Sequence, residues 1–293
     1  HPRLHLLTPS TMYRQVLDAG HGPAEVPLGA LQVALSISQS PDVLESPRGL
    51  TEHHVVDAAA WIVRALVSAG ARLGYGGVFD LGTDAPIATN YTALFARIIE
   101  TYNQVTETPG DLLYSYLPAQ FDFCDVPESS GVNLRLMRHP KTLDEGGEIS
   151  PAPRPVVEPG TEAMTPRDIA LALSDMRRVM ARMTDARVLL GGKTEPKGPR
   201  APRGYSGVFP GVLEEAWWTL RSKKPLYVIG GFGGAAGLLA RLIREEDIPQ
   251  ELRDAQLRAD SAAYGGRVDE VARDARAAEL GLPSTVDALA GDL

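Results

Sequence analysis

The sequence predicts an α/β protein: a mainly parallel sheet with helices on both faces, followed by a helical C-terminal extension. Three observations carry this expectation. Short apolar runs recur along the chain and end in glycines or small hydroxyl residues. Stretches with the apolar spacing of one helical face separate them. Together they keep the strand–helix–strand cadence of parallel crossover units from residue 31 to about residue 246.

Residues 1–30 hold Pro9, Gly20, Gly22, Pro23 and Pro27 with weak periodicity, and read as a connector or N-terminal arm packed on the sheet. Leu31–Ser38 is the first strand and ends in small hydroxyl residues. Thr51 caps a helix whose apolar face is Val55, Val56, Ala59, Ile62, Val63, Leu66 and Val67, and Gly70 stops it. Arg72–Gly77 is a strand running into glycine. Asn90, Tyr91 and Thr92 open a helix with Leu94, Phe95, Ile98, Ile99 and Tyr102 on the face of Tyr91. Leu112–Leu117 and Val132–Met137 supply two more strands. Residues 138–164 are rich in proline, glycine and glutamate without a period, and read as a long loop or lid.

Thr165-Pro166-Arg167-Asp168 starts a helix with a hydroxyl cap, proline at the first position and an acid at the third. Its buried face is Ile169, Ala172, Leu173, Met176, Met180 and Met183. Next comes the unit around which the chain is organised. Val188-Leu189-Leu190 runs into Gly191-Gly192, a basic loop follows, Pro210-Gly211 opens a helix, and Leu226–Ile229 runs into Gly230-Gly231-Phe232-Gly233-Gly234. A helix from Gly234 to Arg244 buries Leu238, Leu239 and Leu242. Residues 247–293 are alanine- and charge-rich, with Val268, Val271 and Ala275 at helical spacing, and form the extension. Residues 31–246 read as one ligand-binding domain, because the strands on either side of loop 138–164 would each leave an incomplete sheet.

The composition excludes several classes. With 29 Lys and Arg against 37 Asp and Glu, the formal net charge of −8 argues against a general nucleic-acid or anionic-membrane surface. Cys124 is the one cysteine, so no internal disulfide forms, which fits a reducing, cytoplasmic compartment. No apolar run reaches the roughly 18 residues of a membrane span. His53-His54 lies in a helix's first turn without partners at metal-ligand spacing, so no metal site is expected. Gly231-Phe232-Gly233-Gly234-Ala235-Ala236 only loosely follows a dinucleotide fingerprint, and no acidic strand end follows it. An ordinary NAD dehydrogenase is therefore rejected. Trp217 shares the apolar face of its helix and is expected in the core, with Trp218 marking an assembly contact.

The glycine endings point to a ligand. Glycine after a buried strand lets backbone N–H groups approach an anion, and parallel strands bring such ends to one edge of the sheet. The candidate binding residues there are Ser36, Ser38, Gly76, Gly77, Gly191, Gly192, Pro210, Gly211, Gly230, Gly231 and Gly233. Any one of these glycines can equally serve only to end a strand.

Their order and spacing resemble the SLOG superfamily of Rossmann-like domains, related to the lonely-guy phosphoribohydrolases, and within it the TIR- and nucleoside-phosphorylase-associating branch. The resemblance rests on Ala34–Ser38, Leu73–Gly77, Leu189–Gly192, Phe209–Glu215 and Lys224–Ala235, and covers roughly residues 31–245. It implies a domain that binds a nucleotide or ADP-ribose-type ligand, such as a cyclic ADP-ribose, with no required cofactor. It also implies an upstream TIR-like effector and a homo-oligomeric sensor in bacterial antiviral defence. The basic loop Lys193–Ser206, with Lys193, Lys197, Arg200 and Arg203, would suit a diphosphate, and Tyr205 either stacks on a base or staples the loop.

The chain departs from the hydrolase PGGxGTxxE pattern: Pro210-Gly211 is followed by Val212 and Leu213 instead of the further glycines and threonine. Glu214 or Glu215 matches the acid. One of them would hold ribose hydroxyls, or serve as acid–base if the protein is a nucleotide N-glycoside hydrolase. Such an acid also stabilises a helix dipole without touching any ligand. Neighbours on a helix, the two are not expected to face the crevice together. A third possibility is a scaffold whose crevice stays empty.

Overall fold

The protein is seen in a computed structural model that describes residues 4–6, 28–29, 31–38, 49–77, 90–106, 112–118, 134–139, 166–196, 204–205, 207–245, 248–254, 277–278 and 281–292. Cys124, Lys197, Arg200, Arg203, Ser206, the loop from 140 to 164, and Val268, Val271 and Ala275 of the extension lie outside the described residues.

The six apolar runs become strands, and the N-terminal arm adds a seventh: β1 (Leu4–Leu6), β2 (Gln32–Ser38), β3 (Arg72–Tyr75), β4 (Leu113–Pro118), β5 (Leu134–His139), β6 (Ala186–Gly191) and β7 (Leu226–Ile229). They form one sheet in the order β1-β7-β6-β2-β3-β4-β5. Every pairing is parallel. From β2 the chain steps outward to β5, then returns to lay β6 on the other side of β2, in register from Val33–Ala186 to Ser38–Gly191. The strand order thus reverses between β2 and β6, the place where open α/β sheets leave a crevice at their carboxyl edge.

The helices are α1 (Glu52–Ser68), α2 (Tyr91–Thr106), α3 (Pro166–Met183), α4 (Gly211–Arg221), α5 (Gly234–Glu245) and α6 (Val286–Asp292). Strand side chains alternate between the two faces. On one face, Val33, Leu35, Ile37, Val188 and Leu190 pack with Val55, Ala59, Ile62, Val63 and Leu66 of α1 and with Tyr91, Phe95 and Ile99 of α2. On the other, Leu189, Leu226 and Val228 meet Leu213, Ala216 and Trp217 of α4 and Leu239 and Leu242 of α5. Ala34 and Tyr116 meet Met176 and Met180 of α3 on that side. Covering both faces explains why the strands read as continuous apolar runs. Each fully buried Leu, Val or Phe contributes about 1.5–3 kcal/mol. The fold is the expected Rossmann-like α/β class, with helices on both faces.

The local signals act as expected at α1. The Thr51 N–H donates to His54 Nδ1 at 3.0 Å, and the His54 N–H returns to the Thr51 carbonyl at 3.0 Å. Gly70, at φ 86°, donates to the Val67 carbonyl at 2.9 Å and ends the helix. One expectation is corrected: Met183 is 47% exposed, because Thr184 caps the last turn of α3 before the chain enters β6. Trp218 lies half-buried beside the α4–α5 core, edge-on to Trp217 at 4.6 Å.

At the C-terminus, Val286 and Leu289 of α6 bury against Trp217 and Leu252. The Trp217 Nε1–H donates to Asp292 at 3.1 Å, and Arg253 pairs with Asp287 at 2.8 Å. No described helix is long and apolar enough to cross a membrane.

The glycines at the ends of β6 and β7 do different work. A Cβ on Gly234, at φ 66°, would fall 2.6 Å from the Gly192 carbonyl oxygen, whereas one on Gly231 meets nothing within 4 Å. Gly234→Ala is therefore expected to cost about 2 kcal/mol or more, and Gly231→Ala to be neutral or stabilising by up to about 1 kcal/mol. Denaturant unfolding of the two variants checks this.

Candidate functional site

All-parallel pairing brings Ser38, Gly76, Gly77, Gly191, Gly192, Gly230, Gly231 and Gly233 to one edge of the sheet. There the glycines divide into two kinds. Gly191, Gly192 and Gly234 let backbone pack on backbone. The Gly192 N–H donates to the Ser38 carbonyl at 2.9 Å, and the Ala235 N–H donates to the Gly192 carbonyl at 3.1 Å. Gly230 makes room for Ala240, Gly76 faces Met176, and Gly77 abuts Tyr75 and Thr92. Gly231 and Gly233 are the open ones: a Cβ on either meets nothing within 4 Å. The backbone between β7 and α5 is accordingly free to be approached.

The basic loop is tied at its base. The Tyr205 N–H donates to the Glu195 carbonyl at 2.9 Å, Pro196 and Tyr205 form a parallel bridge, and Lys193 Nζ donates to the Gly204 carbonyl at 3.5 Å. Tyr205 is 4% exposed and staples the loop.

Beneath the edge lies a cluster of buried charge. Pro210 caps α4, and its carbonyl accepts from the N–H groups of Leu213 and Glu214 at 2.9 and 3.1 Å. One turn in, the Glu214 carboxylate is 1% exposed. It accepts from Ser174, from Arg177 Nη1 at 2.5 Å and from Trp218 Nε1 at 3.4 Å. Its neighbour Glu215 reaches Arg187 Nη1 at 3.2 Å and Arg177 Nε at 3.7 Å. Arg187 has no exposed surface; it also donates to Thr219 at 2.8 Å and to Ser36 at 2.7 Å. Burial pushes its guanidinium below its usual pKa, and the Glu215 charge opposes that. The two arginines balance the two glutamates. Gly211 belongs to the same arrangement, since a Cβ there would lie 2.6 Å from Arg177 Nη2.

The structure thus gathers Ser36, Gly211, Glu214 and Glu215 around two arginines, and sets Ser38, Gly191 and Gly192 against one another. Both glutamates point inward, each to its own guanidinium. Ser174, Arg177 and Arg187 were missed by the sequence reading, although a signal existed. Arg177 interrupts the apolar stripe of Leu173, Met176 and Met180, and Arg187 heads an apolar strand. Among the described residues no group of histidine, cysteine, aspartate and glutamate is arranged to hold a metal ion.

A model of the protein family described as SLOG cluster2 matches residues 27–283. No curated protein matches the chain.

Removing one partner of a buried ion pair leaves the other charge unpaired, at a cost of about 3–5 kcal/mol. Arg177→Met is expected to lose stability in that range. Adding Glu214→Leu should recover part of the loss, and a double-mutant cycle by denaturant unfolding reads the coupling.

Alkaline pH provides a second check. Burial raises the Tyr116 phenol to about 12, partly offset by its hydrogen bond from Gln32. An unfolded tyrosine titrates near 10, so above that pH the folded state keeps a proton the unfolded state has lost. The contribution is whole below about pH 10 and is lost as the pH rises towards about 12, by roughly 1.4 kcal/mol per pH unit. Unfolding free energy should therefore fall over this window, and less steeply in Tyr116→Phe.

Proposed function

The chain belongs to the SLOG cluster2 family, a nucleotide-related group, and on that premise we propose that it is a nucleotide-signal sensing domain. The ligand is of the ADP-ribose type and binds at the carboxyl edge near the β2–β6 reversal. Binding engages the basic loop, drives self-association and switches on a TIR-type effector of bacterial antiviral defence. The effector and the ligand class follow from the family resemblance.

The observation that carries the reading is the open backbone at Gly231 and Gly233 on the edge where the strand order reverses. A diphosphate suits such a place, because no side chain there stands in its way and the basic loop would bring cations to it. The ion pairs favour binding over N-glycoside hydrolysis. Glu214 accepts from three donors, and Glu215 is drawn to Arg187 at 3.2 Å. A carboxylate committed to internal donors must break those contacts before it serves a substrate.

A thermal-shift screen with ADP-ribose, cyclic ADP-ribose isomers, NAD and nucleoside monophosphates tests the reading, with products and particle size followed for each hit. The expected hit raises the melting temperature in proportion to the logarithm of its concentration, returns chemically unchanged and enlarges the particle. Arg200→Ala and Arg203→Ala should each weaken that binding while leaving the ligand-free melting temperature unchanged. Consumption of the ligand to base and sugar phosphate, lost in Glu215→Gln, would instead make the protein a hydrolase. A screen without hits would leave a scaffold.

A further inference from the structure

The carboxyl end of β3 carries two buried phenols that the cluster beneath α4 does not use. Tyr75 ends β3, and its hydroxyl donates across to the Ile37 carbonyl of β2 at 2.9 Å. Tyr91 opens α2 and lies 6.0 Å from the Phe95 ring, which meets Tyr75 edge-on at 5.1 Å. The Tyr75 hydroxyl is satisfied. The Tyr91 hydroxyl is buried and has no hydrogen-bond partner among the described residues, on a residue that is 5% exposed. A buried hydroxyl left unpaired is destabilising, and a polar ligand group that pairs it removes that penalty.

Its position says what kind of group that is. Glu52 begins α1 after β2, and Tyr91 begins α2 after β3. In a parallel sheet both stand at the carboxyl edge, the edge that holds Ser38 and Gly231. Among the described residues, the charge acting on the Tyr91 phenol is the Glu52 carboxylate. Both phenols are pushed well above their usual range, chiefly by burial, so they stay neutral and able to donate. A phosphate beside Tyr91 would face the like charge of Glu52, whereas an uncharged hydroxyl or ring edge would not.

We propose that the Tyr91 hydroxyl is the hydrogen-bonding contact for the uncharged nucleoside end of the ligand, bound over β2 and β3 with its phosphates directed towards β6 and β7. The inference rests on the nucleotide-sensing reading and gives that site a direction. Tyr91 positions the ligand; no bond is made or broken.

The test titrates ADP-ribose into the full chain and into Tyr91→Phe at low and high salt, and measures both melting temperatures without ligand. Phenylalanine keeps the ring and removes only the hydroxyl. The expected result is about tenfold weaker binding of ADP-ribose by the variant. The ratio between the two proteins should not change with salt, because a neutral contact is not screened. The ligand-free variant should melt no lower than the wild type, since no internal partner is lost. Unchanged affinity in a wild type that binds would overturn the contact alone, and so would a weakening that vanishes at high salt. A lower melting temperature in the ligand-free variant would reveal an internal partner and also overturn it. A wild type that binds neither ADP-ribose nor any other nucleotide in the screen would overturn the sensing reading and this contact together.

Discussion

A guanidinium with no exposed surface sits inside this fold, and several elements are arranged to tolerate it. Arg187 heads β6, and its side chain lies between the sheet and α4. Its burial is tenable because Ser36 from β2, Thr219 and Glu215 from α4 all turn acceptors towards it. A buried charge deprived of such partners costs several kcal/mol, a sizeable part of the net stability of an ordinary domain. The position of α4 over β2 and β6 is thus tied to polar geometry as well as to apolar area. Arg177 extends the constraint to α3 through Glu214, and it approaches α4 closely only because Gly211 has no side chain.

That network lies directly under the place where the strand order reverses. The helix whose N-terminus faces the carboxyl edge is the same helix that neutralises both arginines. Any group settling on the edge near Pro210 therefore rests over a charge-balanced base. The glycines follow the same division. Gly191, Gly192 and Gly234 lock β6 to the start of α5 by backbone contact, while Gly231 and Gly233 leave adjoining backbone uncovered. Packing and access are separated by only a few residues.

Much of the fold was legible in the sequence, because strands covered on both faces leave unbroken apolar runs and their helices leave a period. The ends were less so: Arg72–Gly77 reads as a strand, but pairing stops at Tyr75, since Gly76 and Gly77 already turn towards α3 and α2. β1, only Leu4–Leu6, is too short to carry a pattern and is defined by its partner β7. At the candidate site, sequence reading names the glycines, the two acids and the lysines and arginines of the loop, of which Lys197, Arg200 and Arg203 lie outside the described residues. It missed the internal partners of those acids. Ser174 and Arg177 lie on a helix separated from Glu214 by an entire strand and loop, so only the folded chain brings them together.

This also bears on what the two acids are for. A motif shows an acid near the start of a helix but not whether its lone pairs are spoken for. Glu214 is filled by a hydroxyl, a guanidinium and an indole N–H, and Glu215 leans on Arg187. A general acid–base needs a carboxyl group that can reach substrate, and these two are turned to internal donors. The substitution of Val212 and Leu213 for small residues points the same way, since both side chains are buried in packing and neither lines an open cradle. The same acids are well placed for another task. Through Ser174, Arg177 and Arg187, and Ser36 beyond it, they tie α3, α4, β2 and β6 together beneath the carboxyl edge.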